Sequence, residues 1–168
     1  MADRWVLLLR GVNVGGHNKL PMAVFRSAIV GVGGTDVVSY IQSGNGVFSG
    51  TVAADDLRDA IATASGVSVP MTVISARDFG AAIRANPFPA EDEKAVHLVF
   101  LFDELPDGIA AALDGAVRGR DAWQKLGAVV YLYTPDGFGR SKLAEVATRK
   151  LPGTARNLRS VGKIAALI

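Results

Sequence analysis

Residues 35–48, Thr35-Asp36-Val37-Val38-Ser39-Tyr40-Ile41-Gln42-Ser43-Gly44-Asn45-Gly46-Val47-Phe48, decide the fold. Thr35 to Ile41 is β-branched and aromatic, which favours a strand. Gln42 to Gly46 is turn chemistry, and Val47-Phe48 begins a returning strand. The stretch therefore reads as a hairpin with a polar tip, and each side of it carries a helix and a further strand.

Upstream, Trp5 to Leu9 is continuously apolar, as expected for a central strand covered on both faces. It runs into Arg10-Gly11-Val12-Asn13-Val14-Gly15-Gly16-His17-Asn18-Lys19, a donor-rich cationic loop. Pro21 then opens a helix with Met22, Phe25, Ile29 and Val32 at helical spacing, ended by Gly31, Gly33 and Gly34. Downstream, Ala54 to Ser65 carries Leu57, Ile61 and Ala64 on one stripe. Asp55 and Asp56 complement the dipole of its first turn, and Gly66 stops it. Val69 to Ile74 reads as a strand, with Pro70 favouring an edge position. The order is β-α-β-β-α-β, the ferredoxin-like pattern.

Ser75, with Asp78 three residues on, caps a third helix that Pro87 stops by Asn86. The acidic loop Pro87–Glu93 is the best boundary feature. Beyond it come a strand at Val96–Phe102, a helix at Pro106–Val117, a hairpin of residues 122–126 with 129–133, a helix at Arg140–Leu151 and another from Leu158. The expected fold class is α+β: two ferredoxin-like (α-β plait) subdomains packed together, with antiparallel sheets and helices, spanning residues 1–75 and 76–168.

The 168 residues are 49% hydrophobic and 20% charged, a composition that supports a core. No apolar run reaches the roughly 20 residues of a membrane helix. Met1-Ala2-Asp3-Arg4 lacks the features of a signal peptide. There is no cysteine, which excludes disulfides and thiolate chemistry. These features read as cytoplasmic. Residues 50–137 hold 13 Asp/Glu against 7 Lys/Arg, whereas residues 138–168 hold seven Lys/Arg and only Glu145. Cationic ends around an acidic middle suit either a solvated face or a surface for phosphate, nucleotide or nucleic acid.

Four polar groups could carry chemistry. They are the loop with Arg10, Asn13, Gly15, Gly16 and Lys19; the hairpin tip with Gln42, Ser43 and Asn45; the turn Gly137–Lys142; and the segment Thr154–Ser160 with Arg156, Asn157 and Arg159. A guanidinium fork with amide donors suits a carboxylate or phosphate. Neither the Walker A nor the dinucleotide spacing is present. Gly11, Gly15 and Gly16 equally suit positive φ angles, and Gln42–Asn45 equally suits a plain turn. Catalytic chemistry has little support. His97 lies in a strand and fits a satisfied core histidine better than a base, and His17 has no carboxylate nearby in sequence. Glu91-Asp92-Glu93 looks solvated, so no metal set is indicated, and no cofactor can be named.

Leu7–Met22, Ser39–Phe48, Asn86-Pro87-Phe88, Gly139–Leu143 and Thr154–Ser160, taken in order, closely resemble the bacterial family called domain of unknown function 1697. The resemblance implies two ferredoxin-like subdomains and carries no activity. The chain has Gly46 where the family usually has a β-branched residue, Val12 for isoleucine and Leu158 for tryptophan. The expected function is binding of an anionic ligand, a nucleotide or phosphorylated metabolite, at a polar cleft between the subdomains. It would use Arg10, Asn13, Gly15, Gly16, Lys19, Gln42, Ser43, Asn45, Lys142, Arg156, Asn157 and Arg159. Alternatives are nucleic-acid binding through the cationic termini, an enzyme acting on a phosphorylated substrate with His17 as its base, and a structural or interaction module without a small-molecule ligand. No membrane partner is expected, and the oligomeric state stays open.

Overall fold

The computed structural model describes residues 3–66 and 68–168, so the reading of Met1 and Ala2 lies outside the described residues. The chain divides into two units, one running up to Ala81 and including Lys163–Ile168, the other covering Ala82–Gly162.

The first unit runs β1 (Arg4–Leu9), α1 (Met22–Gly31), β2 (Thr35–Tyr40), β3 (Asn45–Ser49), α2 (Ala54–Ser65) and β4 (Met71–Ser75), and α3 (Ala76–Arg84) follows. Its sheet has the order β2-β3-β1-β4, with every neighbouring pair antiparallel, the ferredoxin-like arrangement. β1 is central as its apolar run requires, and Val6, Leu7, Leu8 and Leu9 are all buried. Alternation sends Leu7 and Leu9 towards the helices, where they pack with Phe25 and Ile29 of α1 and Leu57 and Ile61 of α2. Each such side chain contributes about 1.5–3 kcal/mol by leaving water. β4 is an edge strand, in keeping with Pro70 beside it. Gly66 ends α2 at φ 75°, and Ser75 Oγ accepts from Asp78 N at 3.0 Å, capping α3.

The second unit repeats the pattern: β5 (Val96–Leu101), α4 (Ile109–Ala116), β6 (Ala122–Leu126), β7 (Val129–Tyr133), α5 (Lys142–Lys150) and β8 (Gly153–Asn157), followed by α6 (Leu158–Ala165). Its sheet order is β6-β7-β5-β8, again antiparallel. Val99, Leu101, Val130 and Leu132 pack under Leu113 of α4 and Leu143 and Val146 of α5.

Two boundaries differ from the sequence reading for identifiable reasons. Asn45 and Gly46 belong to β3 rather than to the turn. They pair with Tyr40 and Ser39 on one side and with Leu8 and Leu7 on the other, so ladders on both edges override their turn propensity. Arg140 lies outside α5 in a short 3-10 turn, Phe138–Arg140. Ser141, extended at φ −86° and ψ 126°, caps α5 by accepting from Ala144 N at 3.0 Å.

Candidate anion-binding site

Of the four polar groups, the structure brings the first two together. Leaving β1, Leu9 N donates to Gly44 O at 2.9 Å and Arg10 N donates to Pro70 O at 2.9 Å. The loop then folds as a small hairpin, in which His17 N donates to Val14 O at 2.9 Å and Asn13 N to Asn18 O at 3.1 Å. Its central residues, Gly15 at φ 56° and Gly16 at φ 78°, meet the positive-φ requirement of a type I′ turn. Asn13 and Asn18 are also left-handed, which amide side chains tolerate.

Asn13 fastens the loop. Its Nδ2 donates to Leu20 O at 2.8 Å and to Gln42 O at 2.7 Å, and its Oδ1 accepts from Leu20 N at 2.8 Å. Asn18 Nδ2 donates to Gly11 O at 2.9 Å. Val12 and Leu20 are buried in the core at either end. Arg10 is half-buried, whereas Val14, His17, Lys19 and Gln42 are exposed.

Asn45 lies inside the hairpin tip, with Nδ2 donating to Tyr40 O and Ser43 Oγ, each at 2.9 Å. Gly44 is held at φ 83°, where a Cβ would approach Leu9 Cβ to 2.7 Å, so glycine is required. Ile41 sits at φ 49° and is 51% exposed, a strained conformation for a β-branched residue. Nothing in the sequence marked Ile41, whose side chain reads simply as strand.

The other two groups lie in the second unit, and one residue of each adjoins His97. The imidazole stacks on Phe138 at 3.9 Å between ring centroids, and in the ladder His97 lies opposite Asn157. Burial lowers its pKa to about 4, so the ring is neutral at pH 7. The satisfied core histidine expected from sequence is corrected in one respect. Among the described residues its Nδ1 has no hydrogen-bond partner, and the same is true of buried Thr134 Oγ1. Asn157 Oδ1 caps α6 by accepting from Ser160 N at 2.8 Å. Arg156 is buried, with Nη1 donating to Thr154 Oγ1 at 2.6 Å and Ala155 O at 2.9 Å, and burial lowers its pKa to about 10. Lys142 is exposed and reaches Glu145 at 3.2 Å, while Arg159 is exposed. Among the described residues no group of three or more His, Asp or Glu could hold a metal ion. No helix among them is long and apolar enough to cross a membrane.

Two antiparallel four-stranded plaits, each followed by a helix, place the chain in the α+β class with two similar subdomains. It belongs to the family described as protein of unknown function (DUF1697), whose model matches residues 2–131. A solved structure, that of the conserved bacterial protein SP0830 from Streptococcus pneumoniae, is similar over 99% of both chains, with 25% identity and a TM-score of 0.73. No curated protein matches the chain in sequence.

Proposed function

We propose that this is a cytoplasmic protein that binds a small phosphorylated ligand, such as a nucleotide or sugar phosphate, at the Arg10–Lys19 loop and the adjoining hairpin tip. The observation that carries the reading is the Asn13 clamp. It fixes a loop rich in left-handed residues that carries half-buried Arg10 and exposed His17 and Lys19, beside exposed Gln42. A preorganised loop loses little entropy on binding, and its cations can form charge-assisted hydrogen bonds. The strained, exposed Ile41 beside it fits a site held in a costly conformation. Asn13 and Asn18 support the loop and Asn45 supports the hairpin tip, because their amides are engaged with main-chain and side-chain groups there.

A thermal-shift panel of nucleotides, sugar phosphates and inorganic phosphate tests the proposal. Stabilisation that disappears in Arg10→Ala and Lys19→Ala is expected. A panel without any shift removes the reading. The engaged asparagines then favour the structural alternative, in which the motif serves only to hold the loop to the hairpin.

A further inference from the structure

We propose that the second unit holds one internal water molecule, bound between Nδ1 of His97 and Oγ1 of Thr134 and covered by the ring of Phe138. Both atoms are shut off from solvent, and neither meets a protein hydrogen-bond partner among the described residues. Thr134 as a whole is 1% exposed, so bulk solvent does not serve its hydroxyl. A buried polar group without a partner is costly, and an ordered water that bridges two such groups removes the cost for both.

The strand register puts the two groups on one face of the sheet. His97 lies opposite Leu132 in the β5–β7 ladder, and Thr134 N donates to Ala95 O at 2.8 Å, two residues further along each strand. Alternation therefore turns His97, Leu132 and Thr134 to the same side, where Leu132 packs with Val99 and with Leu113 of α4. His97 and Thr134 are diagonal neighbours on that side, a relationship that separates two positions by about 7–8 Å. Two hydrogen bonds of about 2.8 Å through one water oxygen suit that separation. A direct bond from the hydroxyl to the ring would require the imidazole to turn. Its stack on Phe138, with centroids 3.9 Å apart and planes at 24°, opposes the turn.

Donors and acceptors also match. The imidazole is neutral at pH 7, so one ring nitrogen carries hydrogen and the other is bare. Water and a hydroxyl each donate and accept, so a bridging water completes both partners in either tautomer. A metal ion would need more ligands than one nitrogen and one hydroxyl, and no cluster of three or more His, Asp or Glu exists among the described residues. Phe138 is half-buried and packs against the Leu113 cluster, which places its ring as the cover of the site.

NMR of the full chain in water tests the inference. Cross-relaxation with the sign of a bound, slowly tumbling water should link that water to the methyl group of Thr134. Oxygen-17 relaxation dispersion should count it among the long-lived waters. Thr134→Val keeps the side-chain shape and removes the hydroxyl, so the count should fall by one, and it should fall by one in His97→Phe. The double variant should lose one water in all, because both groups hold the same molecule. Absence of a bound water at Thr134, an unchanged count in either single variant, or a loss of two waters in the double variant overturns the proposal. So does a scalar coupling between the Thr134 hydroxyl proton and His97 Nδ1, which would show a direct bond. Should Thr134→Val fail to fold, the cross-relaxation of the unmodified protein decides it.

Discussion

The side-chain amide of Asn13 donates to the main-chain carbonyl of Gln42 at 2.7 Å across 29 positions of sequence, while the same side chain closes a reciprocal pair with Leu20. One residue therefore joins the loop after β1 to the tip of the β2–β3 hairpin. Removing it orphans two acceptors and one donor. Asn13→Ala should cost about 2–4 kcal/mol by urea denaturation, each lost bond being worth about 1 kcal/mol and the rest coming from a left-handed alanine. Asn13→Gly loses the same bonds without the backbone penalty and should be less damaging by about 1 kcal/mol. Equal losses for the two would mean that the φ of 55° carries no strain.

Gly44 and Gly16 both have φ near 80°, yet they differ in surroundings. A Cβ on Gly44 meets Leu9 and Val12, and one on Gly16 meets nothing within 4 Å. Gly16→Ala should therefore cost only about 1–2 kcal/mol from the backbone, whereas Gly44→Ala adds overpacking of about 1–3 kcal/mol. Comparing the two denaturation midpoints checks this. Similar losses would show that the Leu9 contact relaxes freely.

Ile41 gives the opposite sign. It is exposed, so little buried area is lost on substitution, and its left-handed backbone favours asparagine. Ile41→Asn should raise stability by about 1 kcal/mol. A loss of stability would show that its side chain packs usefully on the loop.

These residues also show where the sequence was legible. The strand at Trp5–Leu9, the glycine stop at Gly66 and the cap at Ser75 are local features, and they emerge where composition places them. Local chemistry misassigns Asn45 and Gly46, because β3 is paired on both sides and turn propensity yields to two ladders. It also reads Ile41 as strand, since the return forced by Gly44 against Leu9 is a tertiary effect. The Asn13 clamp needs a carbonyl far along the chain. Arg156 reads as a ligand-binding cation, but it lies buried on β8.

Gly46 illustrates a dependence between two positions. A Cβ there would come within 3.0 Å of Phe25 Cε1 and Cζ and 3.2 Å of Ile29 Cδ1, so the space of a larger side chain is already filled. Gly46→Val should cost about 1–3 kcal/mol through overpacking. Phe25→Leu costs stability alone, yet it should recover part of the loss in the double variant. Strict additivity in that cycle would show that the two sites are uncoupled.

His97 makes stability depend on pH. Its pKa is about 4 in the folded protein, below its ordinary 6.5, because burial disfavours the imidazolium. Between these values the unfolded chain binds a proton that the folded chain excludes, so stability rises with pH across the window from 4 to 6.5. Above 6.5 both states are neutral and the dependence ends; below 4 both are protonated and the loss is complete. The full span is roughly 3 kcal/mol. His97→Phe keeps a ring to stack on Phe138 and removes the titration. Other acidic groups titrate in both proteins and largely cancel. The stability of the variant relative to the parent should therefore grow as pH falls from 6.5 to 4 and stay level above it. A difference that does not change with pH would show that His97 accepts its proton equally well in the folded chain.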